Sequence, residues 1–224
     1  MDLSFQIVYS RRKTVAMSVE RDASVIVRAP EGMAEEKIHR LIEAKRFWLY
    51  QKINHDQKYP LRQTRKEFVS GETILYLGRN YRLQVTDKDV AGVGFQSRFE
   101  ISRKNQPRAA ELFKRWYLRQ AEERIPQRTE YFAEALGVGF NRILISDLKV
   151  RWGSCTPNSN LNFNWRLMKA PTTVIDYVIV HELAHLIEPN HTRQFWNIVS
   201  IQVPRFNWAK QWLREHGDLL ETDF

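Results

Sequence analysis

Between residues 5 and 27, apolar side chains fall on alternate positions: Phe5, Ile7 and Tyr9, then Val15, Met17 and Val19, then Val25 and Val27. A period of two predicts strands with one buried face. Arg21-Asp22-Ala23-Ser24 reads as a turn between two of them, and Pro30 and Gly32 close the block. The spacing then changes. Ile38, Leu41, Ile42, Trp48, Leu49 and Ile53 recur at helical intervals among Glu, Lys and Arg, which predicts an amphipathic helix from Met33 to about Ile53. His55 to Glu67 is charged and poor in apolar residues, as expected of a loop or linker. Thr73 to Val85 reads as a hairpin around Gly78-Arg79-Asn80, with one more strand through Phe95, Phe99 and Ile101. After Pro107 a long helix carries Leu112, Phe113, Trp116 and Tyr117. Pro126 is expected to break or kink it, and Gly137 to cap the piece that ends at Leu136.

In the last third, Ile143 and Ile145 start a strand that KVRWGSC carries into the turn-rich Thr156–Asn160. Leu161, Phe163, Trp165 and Leu167 then alternate with Asn162, Asn164, Arg166 and Met168, predicting a strand with one apolar and one largely polar face. That strand is a candidate edge for pairing an extended substrate. Pro171, with Thr173 and Asp176 resembling a capping box, opens a helix.

The composition narrows the class. A 224-residue chain that is 43% hydrophobic and 12% aromatic, with seven Trp, is too apolar to remain disordered. Its one cysteine, Cys155, excludes an internal disulfide and a cysteine-based zinc ribbon, and reads as a buried, inert thiol. The N-terminus lacks the apolar core of a signal peptide, and the longest apolar run, Val174 to Val180, is interrupted by Asp176. A soluble, cytoplasmic protein without a membrane partner is therefore expected. The net charge of +9 divides as +5 over residues 1–70, +3 over 71–140 and +1 over 141–224. Such a balance favours anionic partners, nucleic acid among them, or simply a solvated basic face.

The chemistry lies in the nearly neutral last third. His181-Glu182-Leu183-Ala184-His185 is an HExxH pattern on the predicted helix. Residues four apart project from one helical face, so both imidazoles can reach one cation, with Glu182 beside it as the base for a water molecule. A third ligand is needed. His191 is the leading candidate, provided that Glu188-Pro189-Asn190 ends the helix and turns the chain back; Glu188 and Glu215 are carboxylate rivals. Three of the six histidines fall within these eleven residues, whereas His39, His55 and His216 stand apart and read as surface or structural.

RWGSC at 151–155, the LNFNWRL segment with Pro171 after it, VIDYVIVHELAH at 174–185 and NH at 190–191 followed by Phe195-Trp196 together resemble the YgjP-like metal-dependent hydrolases. This zincin-related group neighbours the SprT-like and WLM proteins. SGETILYLGRNYRL and the N-terminal hairpin also fit, so the resemblance covers most of the chain. It implies an α+β fold, His181, His185 and His191 as metal ligands and Glu182 as general base. Glu188 where metzincins have Gly, and the lack of any Met after Met168, argue against a metzincin.

Two lobes are expected: residues 1–105, basic and mostly β, and 106–224, bearing the metal. The expected activity is metal-dependent hydrolysis by activated water. Its substrate is either a peptide bond or, as the resemblance also implies, the phosphoanhydride of a nucleoside triphosphate such as UTP. Arg151, Arg166 and Arg193, with Lys169 nearby, are candidate substrate contacts for a triphosphate. Three imidazoles suit zinc; Mn or Mg would accompany a nucleotide. A nucleic-acid-binding protein with a degenerate site is a third reading, against which the intact His and Glu set argues. Trp152, Trp165, Phe195 and Trp196 read as packing around the motif helix.

Overall fold

The computed structural model describes residues 5–19, 24–53, 66–148 and 151–221. The predicted turn at 21–24, most of the predicted loop at 55–67, and His55 lie largely outside them. Two compact units are formed, residues 1–61 and residues 62–224.

In the first unit, β1 (Phe5–Ser10), β2 (Ala16–Val19) and β3 (Val25–Pro30) form a sheet of order β1-β3-β2. β3 is central, parallel to β1 and antiparallel to β2. Val25, Val27 and Ala29 of β3 are buried with Ile38, Ile42 and Leu49. The predicted single helix is two: α1 (Glu35–Ala44) and α2 (Arg46–Ile53), separated at Lys45, whose φ of −105° and ψ of 8° leave the helical region.

The second unit begins with β4 (Thr73–Tyr76), β5 (Arg79–Thr86), β6 (Gly94–Phe95) and β7 (Phe99–Ser102), a sheet of order β4-β5-β7-β6. The hairpin turn sits at Leu77-Gly78, slightly before the predicted site, because Tyr76 pairs with Arg79. Both turn residues have positive φ, 48° and 76°. This is the primed geometry that matches strand twist, and it is strained for leucine. Tertiary contacts hold it: the Leu77 and Gly78 amides donate to Met168 and Lys169 carbonyls at 2.9 Å. A Cβ on Gly78 would lie 2.7 Å from Pro171 Cγ, so the turn reaches the segment before the motif helix only without a side chain.

These strands share one core with the rest of the C-terminal chain, within the compact unit that begins at residue 62. The reason is aromatic packing. Tyr76, Phe95 and Phe99 meet Trp116 of α3 (Ala109–Leu136) at centroid distances of 4.8, 5.8 and 5.0 Å. α3 passes through Pro126 without a break, since buried residues on both sides, Ala121, Ile125, Thr129 and Phe132, hold its inner face to the core. Gly137 caps it as expected.

β8 (Arg142–Ser146), β9 (Gly153–Cys155) and β10 (Asn160–Asn164) form the third sheet, of order β8-β10-β9. β8 and β9 are separate strands, not one continuous run. The Leu161–Leu167 alternation is strand only to Asn164 and then a 3₁₀ turn over Trp165–Lys169. Asn164 explains the change: its side chain accepts the Arg166 amide and donates to the Leu148 carbonyl. Three helices complete the unit: α4 (Thr172–Ala184), α5 (Arg193–Gln202) and α6 (Phe206–Glu221). The mixture is α+β, as expected. Among the described residues no helix is long and apolar enough to cross a membrane.

Candidate metal centre

α4 packs against α3, α5, α6 and β9, and is buried nearly all round: Val174, Ile175, Tyr177, Val178, Ile179, Val180, Leu183 and Ala184 are all inaccessible. Such a helix sits at the centre of a domain. No side chain caps its N-terminus. Asp176 of the predicted capping box instead grips Arg128 of α3 through two bonds of 2.9 and 2.8 Å, because the tertiary partner offers a bidentate guanidinium.

His181 and His185 occupy the last turn and the C-cap of α4. The helix stops there: the Glu188 amide bonds to the Ala184 carbonyl, and the Glu188 carboxylate accepts the Asn190 amide at 3.1 Å. The chain folds back, and Thr192 caps α5 by accepting the Phe195 amide. His191, just ahead of that cap, returns to the other two rings. One nitrogen from each of the three histidines lies within 4.8 Å of the others, and Nε2 of His181 stands 3.1 Å from Nε2 of His191. Glu188 is spent on the turn and Glu215 pairs with Gln211 within α6, so neither carboxylate rival joins the cluster. His216 stacks on Trp212 and is not one of the cluster's rings, and His39, in the first unit, meets Phe5 edge-on.

The donor set fits a divalent cation. Zn–N bonds of about 2.0–2.1 Å in tetrahedral geometry place nitrogens about 3.4 Å apart, close to the separation seen between His181 and His191. Two of the rings are also held neutral. Burial, then His185, His191 and Lys210, lower the His181 pKa to about 3, so its lone pair is free at neutral pH. Burial, His185 and Lys210 lower that of His191 too. Phe195, fully buried, packs on all three rings at 4.9, 4.7 and 4.7 Å, and Trp196 stacks on His191 at 5.7 Å. The aromatic pair read as packing is therefore the wall of the site.

Glu182 is 6% exposed, and burial lifts its pKa to about 7 against the opposing pull of Arg151 and a bond from the Cys155 amide. A carboxyl poised near neutrality both accepts and returns a proton. It owes its place to β9. A Cβ on Gly153 would lie 2.7 Å from both Cγ and Oε1 of Glu182, so the carboxylate occupies the space a side chain would take. Sequence reasoning passed over Gly153; its place inside RWGSC was the available signal. The Cys155 thiol is half-buried and its pKa is pushed up by burial and by Glu182, consistent with an inert thiol. Tyr177, one turn before His181, contacts that ring at 5.8 Å, and burial and Glu182 push its phenol up to about 12.

The edge strand differs from expectation. β10 is hydrogen-bonded on both sides, to β8 and β9, so it cannot pair with a substrate. β9 is the edge. Thr156 and Trp152 direct backbone groups to β10, through Thr156 N–H to Asn160 O and Asn164 N–H to Trp152 O. Alternation then turns the backbone groups of Gly153 and Cys155 away from β10, and the Cys155 amide bonds to Glu182.

The candidate substrate cations separate into two kinds. Arg166 is 5% exposed, paired with Asp147, 3.8 Å from Glu221 and laid over the Trp165 ring. Lys169, 3% exposed, donates to the Leu220 carbonyl. Both are engaged internally. Arg151 and Arg193 are exposed, the first ahead of β9 and the second at the start of α5.

The family model for the YgjP-like metallopeptidase domain matches residues 13–216. The chain belongs to the YgjP-like family. Membership establishes a metal-dependent hydrolase and bears out the resemblance carried by the RWGSC, HExxH and NH segments. Among solved structures, this YgjP-like chain is similar to the metallopeptidase zymogen abylysin of Pyrococcus abyssi, with 20% identity and a TM-score of 0.39 over 45% of this chain and 99% of that one. It is also similar to the zymogen jannalysin of Methanocaldococcus jannaschii, with 18% identity and a TM-score of 0.35 over 40% of this chain and 95% of that one. Comparison with curated proteins gives no match.

Proposed function

We propose that this YgjP-like protein hydrolyses peptide bonds, with His181, His185 and His191 holding zinc and Glu182 as general base. The observation that carries the reading is the outward edge of β9 beside Glu182. An extended peptide laid along that edge meets the outward backbone groups of Gly153 and the Cys155 carbonyl, the Cys155 amide already serving Glu182, and passes the carboxylate. A bound divalent cation supplies Lewis acidity towards water and a carbonyl oxygen. Glu182 takes the proton from the attacking water at its carboxylate and returns it to the leaving amine. Phe195 and Trp196 exclude bulk water from one side, and the Cys155 amide fixes the carboxylate's direction. The nucleotide alternative loses support because Arg166 and Lys169 are buried and engaged.

The test is an assay of zinc-loaded protein against quenched fluorescent peptides, with nucleoside triphosphates in parallel. Peptide cleavage is expected, with kcat about 10²–10⁴-fold lower in Glu182→Gln. Triphosphate turnover without peptide cleavage, or peptide turnover untouched by Glu182→Gln, overturns the assignment.

A further inference from the structure

The basic residues around the site are distributed in a way that catalysis alone does not require. Lys210, on α6, lies with Nζ 4.8 Å from the centroid of the Trp196 ring, and that ring stacks on His191 at 5.7 Å and 22°. The ammonium is thereby held at the His191 side of the cluster by a cation–π contact. Arg151 is two residues ahead of Gly153, where Glu182 fills the space a Cβ would take, and so belongs to the Glu182 side. Both side chains belong to exposed residues, and neither makes an ion pair among the described residues. Their fields reach the site: Arg151 lowers the pKa of Glu182, and Lys210 those of His181 and His191. Glu182, which feels the field of Arg151, is buried; Glu188 is occupied by the Asn190 amide, and Glu215, on α6 with Lys210, by Gln211.

We propose that the mouth of this site selects carboxylate-bearing peptides, with Lys210 receiving a substrate carboxylate on the His191 side and Arg151 on the Glu182 side. The proposal rests on the peptidase reading. Its physical basis is contrast within one domain: Arg166 and Lys169 are consumed by internal partners, whereas Arg151, just ahead of β9, and Lys210, over the Trp196 ring beside His191, are exposed. A cation with its acids elsewhere attracts anionic segments and repels basic ones. The carboxylate can come from an acidic side chain near the scissile bond or from the peptide's own C-terminus.

The experiment compares kcat/KM for matched peptides carrying Glu, Gln or Lys beside the scissile bond, each with a free or an amidated C-terminus. It uses zinc-loaded wild type, Lys210→Glu and Arg151→Glu. Binding of the same peptides to Glu182→Gln, followed by fluorescence anisotropy, gives a readout independent of turnover. The Glu peptide, or the free C-terminus, is expected to be favoured over its neutral counterpart by about three- to tenfold at low salt. That preference shrinks at high salt and turns towards Lys in the charge-reversal variants. Equal kcat/KM for Glu and Gln and for acid and amide in the wild type overturns the proposal while leaving the peptidase reading intact. Absence of cleavage with charge-selective binding that Lys210→Glu abolishes upholds the surface and sinks the peptidase reading instead.

Discussion

Glu182 and Gly153 show how one side chain depends on the absence of another. The space beyond the Gly153 Cα is filled by the Glu182 carboxylate, at distances no Cβ tolerates. Because the opposing atoms belong to a side chain and not to backbone, Gly153→Ala is expected to move the carboxylate, not unfold the strand. The variant should keep a melting temperature close to wild type and lose about 10²-fold in kcat, in line with the sensitivity of reacting groups to small displacements. Calorimetry beside a peptide assay checks this; wild-type turnover would place the working position of Glu182 elsewhere. His191 is a second case. Replacing it by Ala removes one of three donors, so the zinc content after dialysis against a weak chelator should drop well below that of wild type, as read by elemental analysis.

Among the elements, the join between α4 and α5 matters most. HExxH sets two rings on one helical face by periodicity alone, but the third arrives only because the helix ends at His185 and a new one starts after Thr192. The Thr192 hydroxyl caps α5, and its loss in Thr192→Ala should cost about 1 kcal/mol of stability. Metal affinity should fall with it, since the cap fixes the residue next to His191; denaturant unfolding and a zinc titration report the two effects separately. The helical and strand periods in this region were legible in advance, as were the turn at Glu188-Pro189-Asn190 and the family motif. Where Leu161–Leu167 ceases to be a strand was not, because apolar side chains at alternate positions stay buried whether the chain is extended or turns into 3₁₀ geometry. Asn164 decides it, through bonds to Arg166 and to the Leu148 carbonyl across the sheet.

At the scale of the molecule, the unit that begins at residue 62 holds strands β4–β7 in the same core as α4. Zinc should therefore stabilise that whole unit. At a free concentration 100 times its dissociation constant, a cation that binds only the folded state adds about 2.7 kcal/mol, measurable as a rise in melting temperature that a His181→Ala variant fails to show. What the amino-acid order determined by itself was everything governed by local repeat and residue chemistry: the α+β alternation, the helix bearing HExxH, the proximity of His191 and the lone thiol. The tertiary structure alone decided which strand is an edge, that Arg166 and Lys169 are internal while Lys210 and Arg151 face solvent, and that Gly153 makes room for Glu182. Those outcomes depend on which surfaces meet across many residues of chain, and a packing contact of that kind leaves no periodic trace in either of the segments that form it.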